Sequence, residues 1–185
     1  MSFIPVGLPS ELGVGLQGAG AFSSDLPTFP NGCHICEIEI DSQTGAAVLD
    51  LYAVVDDIGT VINPLLARGQ IHGGIAQGAG QALTEDIVYD PESGQLLTGT
   101  LLDYGIPRAD TMPRLMVDFS PVPSPTNPLG AKGVGEGGAV AATPTVMNAI
   151  LDALAPLGVT DVPMPATPER IWRAICDQTR AERAS

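Results

Sequence analysis

Basic side chains are what this sequence has least of. Eight Lys and Arg stand against 21 Asp and Glu, for a formal net charge of −13, and none of the eight precedes Arg68. Half of them (Arg170, Arg173, Arg180 and Arg183) fall in the last helical segment. Binding a phosphate backbone needs clustered cations, so nucleic acid is excluded as a partner. Aromatics are scarce too, at 4%, while an apolar fraction of 44% is ample for a buried core. Three cysteines, Cys33, Cys36 and Cys176, do not make a disulfide framework and fit a reducing compartment. No basic region followed by an apolar run and a cleavage site opens the chain. No apolar stretch is read as long enough to span a bilayer, so the expectation is a cytoplasmic protein with no membrane partner.

Glycine and proline are abundant instead, 22 and 17 residues, interleaved with apolar runs rather than gathered into low complexity. Residues 1–31 have little periodicity and read as an extended Gly/Pro/Ser-rich arm, 32–178 as the folded part, 179–185 as a tail. Cys33 to Asp41 alternates as a strand, Asp41-Ser-Gln-Thr-Gly45 supplies a turn, and Ala46 to about Asp57 returns as the second arm of an antiparallel hairpin. Asn63-Pro64 signals a helix start, N-cap then first position, with the helix running to about Glu85. Its glycines each cost roughly 1 kcal/mol relative to Ala, which close backbone contact has to offset. Gln70, Gly74, Gln77 and Gln81 share one face of it. Asp90 to Gly94 reads as a turn, followed by strand-like segments at Gln95 to Tyr104 and Leu115 to Phe119. Thr143-Pro144 reads as the start of a second helix, with Val146, Met147, Ile150, Leu151 and Leu154 on its apolar side and Gly158 near its stop. Thr167-Pro168 opens a third, burying Ile171, Trp172 and Ile175. The expected class is α+β, antiparallel strands packed with three main helices.

The chemistry concentrates in Thr126-Asn-Pro-Leu-Gly-Ala-Lys-Gly-Val-Gly-Glu-Gly-Gly138. Glycines here let backbone approach a ligand closely, and a single acid, Glu136, follows the chain's one lysine, Lys132. The bland account of Glu136 is an acid stabilised by a helix N-terminus. Gly133 to Gly138 also spells G-x-G-x-x-G, but a proline-rich run precedes it where a dinucleotide fold needs a hydrophobic strand. Cys33-His34-Ile35-Cys36 has half the spacing of a zinc site. No second Cys pair completes it and His72 is the only other histidine, so the thiols read as buried and structural and no metal ligands are assigned. Asp56-Asp57 reads as a strand-end turn.

Five stretches together carry a resemblance: Phe29-Pro-Asn-Gly-Cys-His-Ile-Cys-Glu-Ile-Glu-Ile-Asp41, Val55-Asp-Asp-Ile-Gly-Thr-Val-Ile-Asn-Pro64, Gly69-Gln-Ile-His-Gly-Gly-Ile-Ala-Gln-Gly78, Asp103-Tyr-Gly-Ile-Pro107 and the Gly-rich loop. In this order, over Phe29 to Ile175, they resemble the molybdenum hydroxylases, the xanthine oxidase, aldehyde oxidase and carbon monoxide dehydrogenase group. The similarity is to the C-terminal part of the molybdopterin-binding large subunit. It implies part of a molybdenum-cofactor domain, with Glu136 matching the general base that takes a proton from the attacking hydroxide. Gly133, Val134 and Gly135 match the backbone that brings that glutamate to the metal, and Lys132 its neighbour in the cofactor site. Gln70 matches a glutamine that hydrogen-bonds the pterin, which would make the Gln/Gly helix face a surface for a flat heterocycle. The resemblance further implies a molybdenum–molybdopterin cofactor, in the cytosine dinucleotide form, acting on a small-molecule substrate. Iron–sulfur and flavin (FAD) groups would lie on partner subunits, and the rest of the molybdenum subunit would complete the site. The family's large subunit is several times longer, and its Gly-Gly-Phe-Gly loop has no counterpart here. The alternative is a truncated, catalytically inert remnant or assembly module.

Overall fold

The computed structural model describes residues 19–24 and 26–184, so most of the expected N-terminal arm, 1–18, lies outside the described residues. Three strands and three long helices follow. β1 (Asn31–Ile40) and β2 (Ala47–Asp57) form the expected antiparallel hairpin, with a register shift at Glu37/Ile38. Its turn is built by Asp41, whose carboxylate accepts Gln43 N and Thr44 Oγ1, both at 2.8 Å. Gly45 closes the turn at φ 74°, and a Cβ there would fall 2.0 Å from Pro168 O, so the turn is also where the last helix docks.

β3 (Arg114–Phe119) lies on the other side of β2 and runs parallel to it, giving the order β1-β2-β3. The all-antiparallel expectation is therefore wrong for one of the two pairings. A parallel neighbour needs a long crossover, and the helix between β2 and β3 in sequence provides it. The strand-like segment Gln95 to Tyr104 is also not a strand. Its approach to the preceding arm makes a single bridge, Tyr89 to Leu96, across the Asp90 turn. Leu101 and Leu102 are then left in turn conformation and exposed, so alternation without a partner edge did not yield a ladder.

α1 (Pro64–Leu83) starts as read, with Asn63 Oδ1 accepting Leu65 N and Leu66 N at 3.1 Å. It packs against α2 (Gly137–Leu154), which begins well before Thr143-Pro144 and carries Pro144 in its interior. An interior proline costs about 3 kcal/mol. Burial on both sides of the proline offsets it: Gly138 and Ala142 meet α1, and Val146, Ile150 and Leu154 are buried in the core. A Cβ at Gly74 would fall 2.7 Å from Ala139 N, and one at Gly138 would fall 2.7 Å from Ile71 O. This is the close backbone contact expected for the glycines of α1, met at Gly74 and Gly78 but not at Gly69 and Gly73.

α3 (Pro168–Ala184) buries Ile171 and Ile175, one turn apart, whereas Trp172 lies 41% exposed, contrary to the expectation that it is core. Tyr52, Ile71, Ile75, Val146, Ile150, Leu154 and Ile171 are the largest fully buried side chains. The span Gly137–Leu157 is, by length and composition, apolar enough to cross a membrane, which corrects the sequence reading. One side of it, with Ala142, Val146, Ile150 and Leu154, is buried in the core, while Val140 is exposed.

Candidate functional site

The Gly-rich loop is fastened before it reaches its glycines. Asn127 holds Ala131 from both sides, accepting its N–H at 3.1 Å and donating to its carbonyl at 2.8 Å. Gly130 O accepts from Thr60 N and Ser124 N, both at 2.9 Å. Ala131 bridges Gly59, and Lys132 N donates to Ile58 O at 2.9 Å. The Lys132 ammonium lies 2.5 Å from Asp57 Oδ2, with only 13% and 10% of the two side chains exposed. Asp57 Oδ1 accepts Gly59 N at 2.8 Å and Val122 N at 2.9 Å. The Lys132 hydrogen bond, then that from Val122, lowers the Asp57 carboxyl to about 2.

Beyond Lys132 the chain turns bare. Gly133 and Gly135 have no atom within 4 Å of where a Cβ would stand, and neither has the positive φ that calls for glycine. Gln70 Nε2 donates to Gly135 O at 2.8 Å. Glu136 is the N-cap residue of α2 at φ −119°, ψ 0°, yet its side chain makes no capping hydrogen bond and is exposed. Glu136 thus stands at a helix N-terminus, as the bland account has it, but its carboxylate makes no hydrogen bond to its own helix.

The loop separates two clefts. One, about 600 Å³, is lined by Gly133, Gly135, Glu136, His34, Asp56 and Phe29. The other, about 530 Å³, is lined by Gln70, Lys132, Val134, Gly135, Asn63 and Leu66. All six sequence-predicted residues are thus gathered on one loop and the adjoining end of α1, divided between its two sides with Gly135 reaching both. On the Gln/Gly face, Gln70, Gln77 and Gln81 are exposed, whereas Gly74 is closed by Gly138 and Ala139 and Gln81 accepts from Thr143 Oγ1 at 3.4 Å.

Sequence reasoning missed Asp56 and Asp57. Adjacent residues on a strand face opposite ways, so two acids at the end of β2 could not both be a solvated turn. Asp57 takes Lys132, while Asp56 Oδ1 lies 3.2 Å from His34 Nε2, and His34 Nδ1 lies 2.9 Å from Tyr52 Oη. The His34 and Asp56 side chains are 4% and 6% exposed. Burial pushes the Tyr52 hydroxyl up to about 12 and the Cys36 thiol to about 11. Cys33, expected to be buried, is exposed on the opposite face of β1. Among the described residues no group of three or more His, Cys, Asp or Glu converges to hold a metal ion.

A loop that keeps its main chain bare beside an amide and an unspent carboxylate suits a ligand that closes on backbone. Residues 10–113 match the family model of the molybdopterin cofactor-binding domain. The chain belongs to that family. Within it, the chain is 38% identical over 173 residues to the carbon monoxide dehydrogenase large chain of Hydrogenophaga pseudoflava, covering 94% of this chain and 21% of that one. It is 39% identical to the nicotine 6-hydroxylase large subunit of Paenarthrobacter nicotinovorans, covering 90% of this chain and 20% of the other. A crystal structure of a Cu,Mo-CO dehydrogenase superposes with a TM-score of 0.84 at 35% identity, over 92% of this chain and 21% of that one. The molybdopterin-domain chain thus spans about a fifth of the length of the relatives it matches. Those relatives are molybdenum oxidoreductases, and its small mixed sheet with three helices is the architecture of the part it matches.

Proposed function

We propose that this chain is the C-terminal portion of the molybdopterin-binding large subunit of a molybdenum hydroxylase, and that Glu136 is its general base. The observation that carries the reading is the exposed, uncapped Glu136 at the end of a backbone left bare at Gly133 and Gly135. When bound, the molybdenum–pterin cofactor supplies the two-electron oxidation. The chain's own residues do the rest. Gly133, Val134 and Gly135 let the cofactor approach main chain, and Gln70 offers it the side-chain oxygen that its bond to Gly135 leaves over. Glu136 accepts the proton released as oxygen from water is transferred to the substrate carbon. A carboxylate suits that task because it is an acceptor only, and this one is held by no partner of its own helix.

The cofactor is taken to be the cytosine dinucleotide form, shared with the rest of the large subunit. Iron–sulfur and flavin (FAD) groups on partner subunits carry the electrons away, and the assembly is cytoplasmic and acts on a small molecule. Support comes from the motif order and from relatives whose names are large chains and complex subunits. A second reading, an inert module that folds without turnover, is favoured by a core that the described residues close by themselves. Co-expression with large-subunit, iron–sulfur and flavin partners separates the two. The expected result is molybdenum bound in the complex and dye-linked oxidation that falls by about 10²–10⁴-fold in Glu136→Gln. A stable complex indifferent to that substitution sinks the catalytic role.

A further inference from the structure

We infer that Asp57 and Lys132 form a latch that aims Glu136, so that both are positioning residues for the reaction proposed above, on which this inference rests. The lysine ammonium is not available to a cofactor or substrate. It is largely buried against Asp57 Oδ2, and the same carboxylate holds Gly59 N and Val122 N through its other oxygen. One side chain therefore joins the end of β2, the proline-rich run and the root of the loop. The main chain repeats the tie, since Lys132 N donates to Ile58 O.

Downstream, the next hydrogen-bonded anchor is Gly135 O on the Gln70 amide, with the half-buried Val134 side chain packed on the core between them. Only Gly133 and Val134 lie between the two anchors. Gly133 and Gly135 have no atom within reach of a Cβ, so side-chain packing at these two positions cannot stiffen the span. Glu136 is the next residue and has no capping bond to hold its carboxylate. Its direction follows its backbone, which is held upstream by the two anchors and downstream by Val140 N donating to Glu136 O at 3.0 Å. A general base must lie within hydrogen-bond reach of its proton, and a displacement of about 1 Å can cost on the order of 10²-fold in rate. Releasing Lys132 removes the anchor at one end of that short span while leaving Glu136 chemically intact.

The test uses the full chain and the assembled enzyme. Asp57→Asn is nearly isosteric and keeps an oxygen for Gly59 N and Val122 N; Lys132→Met removes the other partner. Amide hydrogen exchange in the full chain, without cofactor, is expected to speed up by about tenfold or more at the loop root, at Gly59, Val122 and Lys132, whose amides are hydrogen-bonded there, in either variant. The double variant should match the singles, with β2 and α1 unchanged. In the assembled enzyme kcat should fall by roughly 10–10²-fold at unchanged KM and molybdenum content. Lys132→Arg, which keeps the charge, should recover part of the loss. Unchanged loop exchange overturns the latch. Loss of protection across β2 and α1 also overturns it, because the pair would then hold the sheet rather than the loop. Molybdenum content falling in step with kcat would make Lys132 a cofactor contact instead. If Glu136→Gln keeps full turnover, the base assignment fails, and the exchange experiment still decides whether the latch exists.

Discussion

Two sets of glycines in this chain do opposite things. Gly74, Gly78 and Gly138 are packed so tightly that an added Cβ would fall 2.7 Å from a neighbouring atom in each case. Gly69, Gly73, Gly133 and Gly135 would meet nothing within 4 Å, and none of them has a positive φ. α1 carries both kinds, one set turned to α2 and the other flanking Gln70 on the outside. The first set is explained inside the molecule: small residues let two helix backbones touch. The second set costs helix and loop stability with no internal return. It clusters around Gln70 and Glu136, which is where the molybdopterin reading needs bare backbone.

The largest effect on stability belongs to the packed set. In Gly74→Ala the new methyl meets backbone atoms of Ala139 and Gly138, which cannot rotate away as a side chain would. The expected destabilisation is about 1–3 kcal/mol, read from urea or thermal unfolding of the full chain. At this size, that corresponds to a Tm lower by roughly 2–4 °C per kcal/mol. A Gly74→Ala protein as stable as the parent would mean that α1 and α2 are not in the described contact, and the comparison would collapse.

A smaller effect tests what holds the loop in place of packed glycines. Asp57 titrates at about 2 in the folded chain against an ordinary 3.8, so its carboxylate is bound more tightly in the fold than in the unfolded chain. The sign follows: its contribution is complete above about pH 4–5 and is lost as the pH falls toward 2. The stability difference between the parent and Asp57→Asn should therefore be flat at neutral pH and shrink over that acid window. Curves that stay parallel down to pH 2 would show that the loop root does not depend on this carboxylate.

How far these features were legible in the sequence depended on whether their cause was local. The hairpin, the Asn63 cap and the Gly45 turn follow from neighbours a few residues apart, and all three were read correctly. β3's parallel pairing and the early start of α2 depend on contacts between distant segments, which no local pattern encodes. Pro144 looked like a helix start because that is its commonest place; the burial of Gly138 and Ala142 on α1 overrode it. Asp57 was dismissed for the same reason, since its partner Lys132 lies 75 residues away. The six proposed site residues come from motifs matched by resemblance, and the geometry divides them between two clefts. Trp172 shows the limit of composition: an aromatic next to core positions reads as core, yet it lies one helical step off the buried face.

The sharpest separation of the two sets comes from the smallest stability change, because there even the sign differs. Gly135 has an ordinary backbone conformation and open space at its Cβ position, so alanine fits without strain. Alanine narrows the unfolded ensemble, and Gly135→Ala should stabilise the full chain by about 0.4–1 kcal/mol. In the assembled enzyme the same methyl would stand between the loop and a cofactor approaching its backbone. Molybdenum content per complex should then fall even as the isolated chain gains stability. Thermal unfolding of the chain and metal analysis of the complex, made on one variant, read both effects. A stabilised chain whose complex keeps full molybdenum would show that the bare side of Gly135 faces no cofactor, and the open glycines would need another explanation.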